Sequence, residues 1–150
     1  MENNVASFSN SLENIEGISD LSFFDIDNKN DKAGTFSYED SKFGFFDSVL
    51  DGQIKIGIFT LFLQTNYKIK ESLDNNLENI FNNLKDEISN FPAVKVTLNM
   101  DNGIFNLDAQ IQIPYYESEN SRDSIIKAAL DMLIIIKARI TFFAIQHILE

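Results

Sequence analysis

His147 is the only histidine in the chain, so any catalytic arrangement built on an imidazole has to use it. It falls near the end of a long apolar stretch that reads as a helix, where the C-terminal dipole favours an imidazolium, and a surface or capping role accounts for it. Asp25, Asp27 and Asp31, with Asn28 and Asn30 among them, gather the oxygen ligands that calcium takes. An EF-hand loop needs glycine at its sixth position and glutamate at its twelfth. Counted from Asp25 those positions hold Asn30 and Phe36, and counted from Asp27 they hold Lys32 and Tyr38, so the pattern fails in both frames. The cluster reads as a solvated turn between strands. The carboxylate pairs Glu39-Asp40 and Glu117/Glu119 lie in polar links, not in contrasting environments that would drive their pKa values apart for acid–base work. No Gly-rich phosphate loop, zinc-ligand spacing or G-x-S-x-G is present. With no cysteine, disulfides and thiolate metal sites are excluded. The expectation is a non-enzymatic protein with no catalytic residue, cofactor or metal site.

At 150 residues, with 44% hydrophobic and 23% charged residues, the chain is expected to form a single domain over 1–150. Acidic residues outnumber basic ones 23 to 12, a net charge of −11. Phosphate backbones demand a basic surface, and Lys and Arg do not cluster here, so nucleic-acid binding is not expected. The same charge repels anionic lipid headgroups, and it suits a soluble protein or one with a basic partner. Met1-Glu2-Asn3-Asn4 has neither a basic nor an apolar signal region, and a cytoplasmic location is expected.

The pattern of apolar residues outlines the elements. Val5, Phe8, Leu12 and Ile15 share one face of a short helix that Gly17 would end. Runs at Leu21–Asp27, Thr35–Glu39, Phe43–Leu50 and Gln53–Tyr67 are β-like, the last two joined by Asp51-Gly52, a hairpin signal. In the last run Ile54, Ile56 and Ile58 alternate, then the phase changes to Phe59, Leu61 and Leu63; a bulge, with Gly57 its natural place, or burial on both faces accounts for the change. Ser72–Phe91 carries Leu73, Leu77, Ile80, Phe81, Leu84, Ile88 and Phe91 on one stripe, between an N-cap serine and Pro92. Val94–Met100 and Phe105–Ile113 alternate apolar and polar residues about Asn102-Gly103, and Pro114 closes the hairpin.

The helix expected from Ser124 to Glu150 is too apolar for one surface. Ile126, Ala129, Leu133, Ile136, Ile140 and Phe143 form one seam; Ala128, Ile135, Ala138, Phe142, Ile145 and Leu149 form a second on the opposite side, broken by Asp131. It is no membrane span, because Asp131, Lys137 and Arg139 interrupt it. Burying one large apolar side chain is worth about 1.5–3 kcal/mol, so the second seam calls for a cover. The body of the protein, a twin subunit or a client would each serve. Asp131, with Lys137 and Arg139 nearby, is a candidate for setting the alignment of a dimer. The candidate protein interface is therefore Ala128, Asp131, Ile135, Ala138, Phe142, Ile145 and Leu149.

The resulting expectation is an α+β fold: an antiparallel sheet built from hairpins in α–βββ–α–ββ–α order, helices packed on the sheet, and a long apolar C-terminal helix. The stretch Gly52–Leu63, the helix to Phe91, the hairpin over Asp101-Asn102-Gly103 and the final helix resemble, in order and pattern, the type III secretion chaperones and the related YbjN-type family of putative sensory transduction regulators. That resemblance implies a dimer that binds an unfolded segment of a client and has no catalytic residues. The expected function is a chaperone-like, homodimeric protein-binding module. An acidic immunity or inhibitor protein that neutralises a basic toxin, or a small-ligand-binding regulator, are the alternatives.

Overall fold

A computed structural model of the chain describes residues 8–24, 26, 31–50, 56–68, 77–88, 94–101, 104–116 and 121–147. A 3-10 helix, Phe8–Asn14, opens the fold. It is followed by β1 (Ser19–Phe23), β2 (Asp31–Tyr38), β3 (Ser41–Leu50), β4 (Ile56–Lys68), α1 (Leu77–Ile88), β5 (Val94–Asp101), β6 (Ile104–Tyr116) and α2 (Arg122–His147). The six strands make one sheet in the order β1-β2-β3-β4-β6-β5, and every neighbouring pair is antiparallel.

This overturns the expected α–βββ–α–ββ–α arrangement with its layer of packed helices. Four strands, not three, precede α1, because the run at Thr35–Glu39 belongs to an eight-residue strand that pairs on both sides, with β1 and with β3. The first apolar cluster winds as a 3-10 helix that buries Phe8 and Leu12, with buried Ile15 just after its end, and Gly17 follows at a φ of 93°. The sheet dominates, and a single long helix supplies most of its cover. Of the α1 stripe, Leu84 is buried beside Ile136 and Ile140 of α2 and Phe105 and Leu107 of β6; the other stripe residues have side chains outside the described residues.

Two local departures have clear causes. β6 runs through Pro114, which pairs with Ile58 of β4. Its other neighbour, β5, stops at Val94 opposite Ile111. Beyond that point, among the described residues, β6 is flanked by β4 alone, and an edge position of that kind tolerates a proline. The β2–β3 connection is a tight turn at Glu39 and Asp40, with φ of 48° and 57°. Positive φ at both central residues is the type I′ geometry whose twist matches a hairpin. Both side chains are exposed there, as solvated turn carboxylates.

The core lies on one face of the sheet. Phe36, Phe43, Phe45, Phe59, Leu61 and Leu63 point into it from β2, β3 and β4, and Ile126, Ala129, Leu130 and Leu133 of α2 close over them. Phe36 and Phe43 stack at 5.4 Å, and Phe8 stacks on Tyr115 at 4.1 Å. The change of phase in β4 is not a bulge: its pairing with β3 and β6 is continuous. Gly57, Phe59, Leu61 and Leu63 face the core, while Ile56, Ile58 and Phe62 face the opposite side. Gly57 has a separate reason to be there. The Tyr115 ring lies across it, 2.0 Å from where a Cβ would stand. That path lets the Tyr115 hydroxyl donate to buried Asp47 on β3 at 2.6 Å. The other carboxylate oxygen of Asp47 accepts from the Ser9 backbone N–H at 3.0 Å, tying the 3-10 helix to the sheet.

Gly57→Ala displaces the Tyr115 ring and breaks its bond to Asp47. Urea unfolding is expected to show a loss of about 2–4 kcal/mol. A change below about 0.5 kcal/mol would mean the ring does not depend on the missing side chain.

Candidate functional site

No group of three or more potential metal ligands occurs among the described residues. Asp25, Asp27, Glu117 and Glu119 lie outside them, and so does the His147 side chain. What the structure does present is apolar surface that its own core leaves uncovered, on two opposite sides.

The first is the outer side of α2. The helix starts on Ser121, whose carbonyl accepts from the Ile125 N–H at 3.0 Å, with Asp123 in the positive first turn. Its inner seam is sealed: Ile126, Leu133, Ile136 and Ile140 are at most 1% exposed. The opposite seam is not, with Ile135 at 50% and Phe142 at 64% exposed. Ala128 and Ala138 are exposed along the same side. Ile145 and Leu149 have side chains outside the described residues. The body of the protein therefore does not cover this seam at its described positions.

Asp131 has a task inside the molecule. Its Oδ1 accepts from the Tyr38 hydroxyl at 2.6 Å, and Lys127 lies 3.7 Å from its other oxygen. The Lys137 ammonium donates to Ser41 Oγ at 2.8 Å, and the Tyr67 hydroxyl is bonded to Thr141 Oγ1. These contacts pin α2 to the end of β2, to the start of β3 and to β4, so that its outer seam is held at a fixed orientation. The hydrogen bond to Asp131 pushes the Tyr38 phenol up to about 12, helped by burial and the carboxylate charge. Burial, together with the bond to Asp47, raises that of Tyr115, and burial raises that of Tyr67.

The second uncovered surface is the open face of the sheet, which the sequence reading missed. Leu50, Ile56 and Tyr116 lie side by side across β3, β4 and β6. Ile58 and Pro114 form the next row, then Phe46 beside Thr60, then Phe62. Leu50 and Tyr116 are more than half exposed, and Phe46, Ile56 and Phe62 more than a third. At the β5 side the face becomes polar, in an open groove of about 360 Å³ lined by Phe62, Gln64, Lys95, Thr97, Asp108 and Gln110. The signal for this patch was present in adjacent apolar pairs, Phe45-Phe46 and Val49-Leu50, and in the isoleucines of β4, since alternation puts one member of each pair on the far face.

No protein-family model matches the chain, and neither a curated protein nor a solved structure matches it. No helix among the described residues is long and apolar enough to cross a membrane.

The raised Tyr38 pKa sets an alkaline limit on how firmly α2 is held. The fold favours the neutral phenol, so this contribution is complete below pH 10, the ordinary value, and is lost as pH rises through about 12. Tyr38→Phe is expected to cost about 1 kcal/mol at neutral pH and to remove a phenolate absorbance step near pH 12. If that step survives in the variant, it belongs to another tyrosine.

Proposed function

We propose that this protein is a non-enzymatic, chaperone-like protein-binding module that works as a homodimer. The observation that carries the reading is the outer seam of α2: Ile135 and Phe142 are exposed on a helix whose inner seam is buried at its described positions. Large contiguous apolar surface on a folded protein marks an interaction site, and a rigidly held helix is a good platform for one. A second copy covers the helix side, and the open face of the sheet, from Phe46 to Tyr116, remains for a client. The excess of acidic over basic residues favours a client of basic character. A cytoplasmic setting belongs to the same reading.

Light scattering coupled to size exclusion tests it. The wild type is expected to run as a dimer. Ile135→Glu combined with Phe142→Glu changes only exposed positions, and is expected to give a folded monomer with an unchanged circular dichroism spectrum. A wild-type monomer at micromolar concentration would overturn the homodimer.

A further inference from the structure

The outer seam of α2 is complementary to itself in one orientation, and the geometry points to an antiparallel, two-fold helix pair centred on Ile135. This inference rests on the homodimer reading and specifies its alignment. In a two-fold contact, each residue before the axis meets the residue equally far beyond it on the partner copy. With Ile135 on the axis, Asp131, four residues before it, faces Arg139, four residues after it. Ala128, seven before, faces Phe142, seven after. At about 100° per residue, offsets of four and seven stay on the same side of a helix as the axis residue.

Two independent complementarities thus fall into line. Asp131, whose side chain is 48% exposed, meets an exposed guanidinium twice by symmetry. Its carboxylate holds Tyr38 and Lys127 in its own subunit, and a carboxylate has about four acceptor positions, leaving capacity for a further donor. Phe142, the most exposed large apolar side chain among the described residues, meets Ala128, one of the seam's two alanines, in the large-against-small arrangement that lets two helices close. A parallel pair would set Asp131 against Asp131, Arg139 against Arg139 and Phe142 against Phe142. It would also align the two helix dipoles unfavourably. Moving the axis to Ala138 would place Asp131 opposite Ile145 and remove its charged counterpart.

Since the chain contains no cysteine, single introduced cysteines report the alignment without background. Ile135→Cys is expected to form a disulfide with its own copy on mild oxidation. Ala128→Cys and Phe142→Cys are expected to link to each other when the two proteins are mixed and refolded together, and not to link when each is alone. In the antiparallel pair, like positions lie about 21 Å apart along the axis, beyond the roughly 7 Å reach of a disulfide between Cα atoms. Arg139→Asp, with no cysteine, is expected to weaken the dimer several-fold at low salt, with the difference shrinking at high salt. Disulfides of Ala128→Cys or Phe142→Cys with their own copies would mean a parallel pair and overturn the alignment. A wild-type dimer in which no pair links and Arg139→Asp has no effect would place the interface elsewhere. A wild-type monomer would instead defeat the homodimer reading itself.

Discussion

A buried carboxylate reached from two strands away organises this fold. Asp47 sits on the core side of β3, almost wholly out of water, and a carboxylate there persists only if its oxygens are satisfied. One oxygen takes the Ser9 N–H and the other the Tyr115 hydroxyl. For that second bond the tyrosine must cross β4, and the crossing is open only at Gly57. Three strands and the N-terminal 3-10 helix are thereby bound to one point. Around it the aromatic core closes: Phe8 stacks on the same tyrosine ring and also meets Phe59, and the Arg122 guanidinium at the start of α2 lies 5.7 Å from the tyrosine ring centre. The start of the long helix is thus placed by the same tyrosine that satisfies the aspartate.

From that start α2 runs over the core side of the sheet, and polar contacts from β2, β3 and β4 fix its rotation. Rotation matters because the helix is apolar on two sides. Hydrophobicity alone gives little preference for which seam turns inward; Tyr38 on Asp131, Ser41 on Lys137 and Tyr67 on Thr141 decide it. The side left outward is the one that needs a partner, so the contacts that hold the fold together also determine what it displays.

Much of this was legible in the residues. Strand alternation found β3 to β6, and the two seams of the last helix were separable by spacing, with the inner one buried at each of its described positions. The fold class was not. Thr35–Glu39 is short, ends on an acidic residue and is followed by Asp40, and its extension back to Asp31 depends on pairing with both β1 and β3, which is tertiary information. A 3-10 and an α-helix share nearly the same apolar spacing over two turns, so Phe8, Leu12 and Ile15 could not tell them apart. Asp131 looked like an interruption of the outer seam because its partner, Tyr38, is 93 residues away. The apolar patch on the open face was hidden in the ambiguity of β4, where apolar residues on both faces mimic a bulge.

That ambiguity has a consequence for how the sheet assembles. A strand with one apolar face is aligned by hydrophobicity, since a slip by one position turns every core residue outward. β4 lacks that protection. Slipped by one, it would offer Ile56, Ile58, Thr60 and Phe62 to the core in place of Gly57, Phe59, Leu61 and Leu63, a set that is still mostly apolar. What such a slip could not reproduce is the gap at Gly57, since an isoleucine would then stand under the Tyr115 ring. The central strand is kept from misalignment less by what it buries than by one residue that has nothing to bury.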